Sequence, residues 1–142
     1  MTELMRSSYP VQTADYVSAG KASADIKRKL KQLGITGDVL RRVSVASYEV
    51  ELNLVIHSLG GELTLSVFPD AAQLVSADVG PGIPDLEMAM REGYSTANDE
   101  ARSLGFGAGM GLPNMKRNAD EFDIKSELGV GTTITMRFRL AG

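Results

Sequence analysis

The chain has 142 residues, 43% of them hydrophobic, and this size suits a single domain, residues 1–142, with one sizeable core. Its net charge of -3 excludes a broad basic surface, and its lack of cysteine excludes disulfides and thiolate metal sites. We therefore expect neither nucleic acid nor a membrane among its main partners. Because the start MTELMRSSYP has no apolar signal-peptide core, we expect a soluble, cytoplasmic protein.

Two helices are predicted in the first half of the chain. Over residues 13–34, apolar or small residues recur every three or four positions, which predicts an amphipathic helix that ends at Gly34. A second helix is predicted from Thr36 or Asp38 to the Gly60-Gly61 pair. The buried stripe of this second helix is predicted to comprise Val39, Val43, Ala46, Val50 and Leu54.

Alternating apolar residues predict two hairpins later in the chain. Residues 63–67 and 73–78 are predicted to pair around a turn at Pro69-Asp70. Residues 122–127 and 133–140 are predicted to form a second hairpin around Gly129-Val-Gly131.

The segment between the hairpins contains turn signals and two further predicted helices. A short helix is predicted after Pro84, a mobile polar loop over residues 93–102, and another helix from about Pro113 to about Glu121. The order of helices, hairpin, loop, helix and hairpin predicts a two-layer α/β sandwich. This is an α+β fold in which helices cover one face of a mixed, largely antiparallel sheet.

On the second predicted helix, Glu49, Asn53 and His57 are spaced four residues apart, so we expect them to line one cleft. An asparagine amide oxygen suits Mg²⁺, which prefers oxygen ligands and keeps several waters beside phosphates. Glu49, one turn away, could accept a proton from a nucleophile that attacks a terminal phosphate. The alternative is a solvated face or local caps, with His57 capping carbonyls or packing at the edge of the core.

Asp78 closes a predicted strand and is followed by Gly80-Pro-Gly82. A carboxylate accepts hydrogen bonds and cannot donate them, which matches the exocyclic amine of adenine and repels the carbonyl of guanine. Glycines without side chains let a flat ring lie against the backbone. The alternative for this segment alone is an ordinary Asp-Gly turn after a strand.

Alternating glycines precede the last predicted helix, at Gly105, Gly107, Gly109 and Gly111. Several backbone N–H groups could converge there on an anion, and the helix N-terminus adds its partial positive charge, so this segment is a candidate phosphate site. A flexible linker is the alternative. The spacing matches neither a P-loop nor a dinucleotide-binding fingerprint.

Over residues 45–138, the order and content of these motifs resemble the Bergerat-fold (GHKL) ATPases, the group that includes gyrase, heat-shock chaperone, histidine kinase and mismatch-repair ATP-binding domains. Within that group the chain is most similar to small bacterial serine kinases that act as anti-sigma factors and stressosome switch kinases. The likeness lies in DVGPGIPDLE from Asp78, in GYST from Gly93, and in GAGMGLP followed by Lys116-Arg117 and Asp120-Glu121-Phe122.

The resemblance implies that ATP and Mg²⁺ are the cofactors, with Asn53 holding Mg²⁺ and Glu49 as the candidate catalytic base. It assigns adenine binding to Asp78, Gly80, Gly82, Ile83 and Thr132. It assigns phosphate binding to Gly105, Gly107, Gly109, Gly111 and Leu112. Residues 94–104 would form an ATP lid in which Thr96 and Arg102 are weaker candidates for phosphate contact, and Arg102 is otherwise a solvated loop charge.

The resemblance also implies a function: an ATP- and Mg-dependent protein serine kinase that acts as an anti-sigma or switch regulator in a partner-switching pathway. Its substrate would be a serine of an antagonist protein, and its further partner would be a sigma factor or a phosphatase. The sequence does not decide whether the chain forms a homodimer. The alternative is an ATP-gated binding module that sequesters or activates a partner with little catalysis. A third interpretation, a detached histidine-kinase domain, lacks support because no phosphoacceptor helix pair is found in the sequence.

Overall fold

The computed structural model describes residues 2–80, 82–83, 90 and 111–140. In these ranges the elements are β1 Met5–Val11, α1 Lys21–Gln32, α2 Gly37–His57, β2 Gly61–Val67, β3 Ala71–Asp78, α3 Gly111–Asn118, β4 Glu121–Glu127 and β5 Gly131–Arg139. The predicted helix after Pro84 and the polar loop lie outside the described residues. The same holds for five candidate site residues, Thr96, Arg102, Gly105, Gly107 and Gly109.

The described strands form one five-stranded sheet in the order β1-β2-β3-β5-β4, and every neighbouring pair is antiparallel. Both predicted hairpins are confirmed. In the first, Gly61 faces Asp78, which places the end of β3 beside the start of β2. In the second, Thr132 faces Ser126 across β5 and β4. The α+β fold class is confirmed, with an antiparallel rather than mixed sheet in this part of the chain.

The core lies between the sheet and α2. Four of the five residues predicted for the buried stripe of α2 are fully buried, and Val39 is half-buried at its edge. On the strands, period-two alternation directs Leu63, Leu65, Leu74 and Met136 towards the same core. Burying each such side chain stabilises the fold by about 1.5–3 kcal/mol. Among the described helices, none combines the length and apolarity that crossing a bilayer requires.

The predicted start of the first helix, at residue 13, is wrong because α1 begins at Lys21; β1, over Met5–Val11, was not predicted. The apolar spacing between positions 13 and 20 arises because Tyr16 and Ala19 pack against the core from a turn segment. Gly20 ends that segment with a φ of 97°, a left-handed conformation that a continuing helix could not contain. The predicted end is confirmed, since Gly34 follows the helix with a φ of 82°.

The start of α1 is held by a side chain from α2. Glu51 is buried and accepts hydrogen bonds from three backbone N–H groups of α1 and its preceding residue, those of Gly20, Ala22 and Ser23, at 3.0, 3.2 and 2.9 Å. These are groups that no intrahelical carbonyl can satisfy. Glu51 therefore replaces a local N-cap and joins the two helices.

The end of α3 is also tied to α2. Arg42 donates to the carbonyl of Asn118 at 3.0 Å and to Asp120 Oδ2 at 3.3 Å. Asp120 Oδ2 also accepts the N–H of Arg139 at 2.7 Å. The helix ends at Asn118, earlier than the predicted Glu121, because the chain is already turning into β4 there.

Candidate nucleotide site

Two of the predicted polar residues of α2 face the beginning of α3. A methyl group built on Gly111, the first residue of α3, would lie 3.4 Å from Glu49 Oε2 and 3.9 Å from Asn53 Oδ1. Glu49 and Asn53 are therefore close enough to act on one group held at the start of α3. This spatial relation agrees with the predicted cleft, whereas the side chain of His57 lies outside the described part of the chain.

Glu49 is half-buried, and burial raises the pKa of its carboxyl group. A hydrogen bond from Asn114 Nδ2 to Glu49 Oε1, at 3.5 Å, acts in the opposite direction on that pKa. Asn114 Oδ1 in turn accepts a hydrogen bond from Arg117 Nη1 at 3.0 Å. Sequence reasoning missed Asn114. Its position three residues after Gly111, on the same face of the helix, is the signal that could have identified it.

Asp78 lies at the end of β3, half-buried, where its Oδ1 accepts the backbone N–H of Thr132 at 2.9 Å. Burial raises the pKa of this carboxyl group, and the hydrogen bond from Thr132 partly offsets that rise. A carboxylate has a second oxygen, so Oδ2 can accept a hydrogen bond from a ligand while Oδ1 holds β5. Asp78 and Thr132, two of the residues predicted to bind adenine, are in direct contact.

Two glycines allow the chain to close around Asp78. Gly82 has a φ of 78°, and a methyl group there would lie 2.7 Å from the carbonyl oxygen of Glu127. Gly131 lies against Asp78, where a methyl group would come within 2.0 Å of the Asp78 carbonyl oxygen. Both positions exclude a side chain, so the glycines bring the loop after β3 into contact with the β4–β5 hairpin.

A serine that sequence reasoning missed connects the predicted adenine residues. The N–H of Ile83 donates to Ser126 Oγ at 2.7 Å, and Ser126 Oγ lies 2.9 Å from Thr132 Oγ1, with either hydroxyl as donor. Ser126 occupies an inward position of β4 directly opposite Thr132. The alternation and register of the predicted hairpin were the signals that could have pointed to it.

The two groups of residues lie along the last turns of α2. Gly80 is buried, and a methyl group on it would lie 3.5 Å from Ser58 Cα, at the end of α2. Five residues separate Ser58 from Asn53, a rise of about 7.5 Å along a helix. The Asp78 group and the Glu49–Asn53 group can therefore contact opposite ends of one extended ligand. Leu112 is buried in the core, so only its backbone is available to such a ligand.

The donor and acceptor groups of the described residues are of the types that bind a nucleotide with Mg²⁺. Asn53 supplies the hard amide oxygen that Mg²⁺ prefers, and the start of α3 offers N–H groups and a positive dipole end to phosphates. Within the described ranges, no group of three or more His, Asp or Glu side chains could hold a metal ion by itself. A magnesium ion bound together with phosphates does not require such a cluster, because phosphate oxygens and waters complete its coordination.

A separate cavity of about 270 Å³ lies between β1, the start of α1 and the opposite side of α2. Its lining includes Glu51, whose oxygens are already engaged by the start of α1. Glu49 and Glu51 are separated by about 200° around the helix axis, so this cavity and Glu49 lie on opposite sides of α2.

Comparison with known proteins identifies the family of this chain and several proteins with similar sequences. The family model described as "Histidine kinase-, DNA gyrase B-, and HSP90-like ATPase" matches residues 40–142. The chain is 32% identical over 108 residues to "Serine/threonine-protein kinase RsbT" of Bacillus subtilis, covering 73% of this chain and 75% of that protein. It is 31% identical over 116 residues to "Anti-sigma F factor" of Geobacillus kaustophilus, covering 78% and 76%. A protein of the same name from Clostridium acetobutylicum is 32% identical over 115 residues, covering 78% and 77%. The matched family region includes every candidate site residue.

Proposed function

Because the chain belongs to the histidine kinase-, DNA gyrase B- and HSP90-like ATPases, we propose that it is a protein serine kinase of a partner-switching regulatory pathway. It uses ATP with Mg²⁺ and transfers the γ-phosphoryl group to a serine of an antagonist protein. A sigma factor or a phosphatase is its further partner, and the cytoplasm is its place of action. Relatives named as a serine/threonine-protein kinase and as anti-sigma F factors support this proposal.

The observation that carries the proposal is the half-buried carboxylate of Glu49, which faces the start of α3 next to the amide of Asn53. A base needs a pKa raised towards the working pH and a position within reach of the nucleophile's proton. Two observations support this role for Glu49: burial raises the pKa of its carboxyl group, and its carboxylate faces the start of α3, where we propose that the phosphates bind. Bound MgATP supplies the phosphoryl group and the charge neutralisation. The chain's own residues position the reactants, which is the main source of catalysis in phosphoryl transfer.

In this mechanism the Asp78 end of the site binds adenine, and the Glu49–Asn53 end binds Mg²⁺ and the phosphates. Asp78 accepts a hydrogen bond from the adenine amine through Oδ2 while Thr132 holds Oδ1. Gly80, Gly82 and Ile83 form the backbone around the ring, and Asn53 provides the oxygen ligand to Mg²⁺. The first turn of α3 and the glycines before it bind the phosphates, and Glu49 removes the proton from the attacking serine hydroxyl.

The proposal is tested with radiolabelled ATP, Mg²⁺ and the purified protein products of neighbouring genes. We expect label on one serine of one of these proteins, and none when that serine is replaced by alanine. Glu49→Ala should lower the rate of transfer by about 100-fold or more and leave ATP affinity nearly unchanged. Undiminished transfer by this variant would remove Glu49 from the role of base.

A second candidate function is favoured by the name anti-sigma F factor, which several relatives carry. In that case the chain is an ATP-gated binding module whose association with a partner depends on nucleotide and involves little turnover. The labelling experiment, together with calorimetry on the same proteins, separates the two functions. ATP-dependent association measured by calorimetry, without label on any serine, supports the module and contradicts the kinase.

A further inference from the structure

We propose that Asn114 is a positioning residue that orients the carboxylate of Glu49 and thereby determines which of its oxygens receives the proton. This inference rests on the proposed function, in which Glu49 is the base for a serine nucleophile. It concerns a side chain of α3 that lies outside the residues predicted to bind nucleotide.

The orientation of the Asn114 amide follows from its two partners. A guanidinium group only donates hydrogen bonds, so the atom of Asn114 that faces Arg117 Nη1 at 3.0 Å must be Oδ1. The amide nitrogen, a donor, therefore faces Glu49 Oε1 at 3.5 Å. Arg117 thus prevents the amide from flipping, because the flipped amide would place two donors against each other and an oxygen against a carboxylate.

The backbone of Asn114 is held as well. Asn118 Nδ2 donates to the carbonyl oxygen of Asn114 at 2.8 Å. Gly111 and Asn114 are three residues apart and share the side of α3 that faces Glu49, and Arg117 follows Asn114 by three residues. The 3.5 Å separation between Asn114 Nδ2 and Glu49 Oε1 is long for a hydrogen bond, and contacts of this kind shorten when an enzyme binds its substrates.

The two oxygens of Glu49 consequently have different surroundings. Oε1 is engaged by Asn114, whereas Oε2 lies 3.4 Å from the position of a methyl group on Gly111, at the start of α3. We assign the proton to Oε2. In the transfer step, the serine Oγ–H bond breaks as the Oγ–P bond forms, and the proton passes to Oε2. The electron pair of the broken P–O bond remains on the departing ADP oxygen, and Glu49 afterwards releases its proton to water.

The test compares Asn114→Leu with Gln73→Leu in the full chain. Leucine has the branched side-chain shape of asparagine and cannot hydrogen-bond, and Gln73 is a half-buried amide of β3 that also accepts a hydrogen bond from an arginine, Arg137 Nη1, at 3.0 Å. We expect Asn114→Leu to lower kcat for serine phosphorylation by about tenfold or more, with the Kd for MgATP within about twofold of the parent. Gln73→Leu should leave both quantities within about twofold.

A double-mutant cycle tests whether Arg117 acts on Glu49 by fixing the orientation of the Asn114 amide. Arg117→Met should lower kcat by less than Asn114→Leu does, and the double variant should be no slower than Asn114→Leu alone, since Arg117 acts through the amide. Asn114→Ala provides a second version of the first variant. Thermal unfolding and MgATP binding identify any variant that is not folded.

The outcomes separate this inference from the function on which it rests. A parent protein that phosphorylates no serine removes the proposed function and this inference together. An active parent, inactive Glu49→Ala and fully active Asn114→Leu and Asn114→Ala would overturn this inference alone. Equal losses in Asn114→Leu and Gln73→Leu, or a double variant of Asn114 and Arg117 with the product of the two single losses, would also overturn it.

Discussion

Acidic residues of this chain have opposite pKa shifts because their surroundings differ. Burial raises the pKa of Glu49 and of Asp78, and each has one hydrogen-bond donor that opposes the rise. Asp120 lies nearer the surface, and the N–H of Arg139, followed by the guanidinium of Arg42, holds its pKa below the ordinary value. Ionised Asp120 therefore stabilises the fold, whereas ionised Glu49 and Asp78 destabilise it.

The first prediction is that Glu49→Gln stabilises the ligand-free protein at pH 7. A raised pKa means that the folded state binds the proton more tightly than the unfolded chain, so ionisation above that pKa reduces stability. Glutamine is neutral and avoids this loss. We expect a rise in Tm of a few degrees, since about 1 kcal/mol shifts the Tm of a domain of this size by roughly 3 °C.

The pH dependence provides the check on that prediction. Below the ordinary glutamate pKa of 4.5 both proteins carry a neutral side chain at position 49, so their difference in Tm should disappear. Glu62→Gln, at an exposed position of β2, is the control and should change Tm little at any pH. A Glu49→Gln protein that is less stable than its parent at pH 7 would contradict the argument.

At the scale of elements, local pattern predicted α2 and both hairpins, because each has a clear period and its own turn or cap signals. It failed for β1 and the start of α1. The start of α1 depends on Glu51, which is 28 residues further along the chain from Ser23, and no window of local sequence contains both residues. For Ser126 the hairpin register could have indicated the contact with Thr132, six residues away, but not the contact with Ile83, which is 43 residues away.

The second prediction concerns Glu51 and the start of α1. Glu51→Ala leaves three backbone N–H groups without their acceptor, one of them in a buried hydrogen bond. We expect a loss of about 2 kcal/mol or more in the free energy of unfolding, measured by urea titration. Glu51→Gln retains one acceptor oxygen and should lose less.

The matched control for Glu51→Ala is Glu62→Ala, the same substitution at an exposed position. It should change the free energy of unfolding by no more than about 0.5 kcal/mol. Equal losses in Glu51→Ala and Glu62→Ala would show that the start of α1 does not depend on this carboxylate.

At the scale of the whole molecule, the candidate site depends on long-range contacts. Asp78 and Thr132 are 54 residues apart in sequence, and Glu49 and Asn114 are 65 residues apart. Sequence motifs could indicate which residues belong to the site, but only the completed sheet and the packing of α3 on α2 bring them together. The unfolded chain therefore has no such site, and a ligand that binds it must stabilise the folded state.

The third prediction follows from that linkage. MgATP at 100 times its Kd should stabilise the folded protein by about 2.7 kcal/mol, which corresponds to a rise in Tm of roughly 8 °C. In Asp78→Asn the amide can still accept the N–H of Thr132 through its oxygen, but its NH₂ group then meets the amine of adenine donor against donor. This variant should fold, gain slightly in stability without ligand, and show little further rise with MgATP. Asp70→Asn, in the exposed turn between β2 and β3, should respond to MgATP like the parent. The choice of nucleotide checks the adenine assignment. Because guanine presents a carbonyl to Asp78, MgGTP should stabilise the parent far less than MgATP does. An equal rise in Tm with both nucleotides would contradict the assignment of Asp78 to adenine.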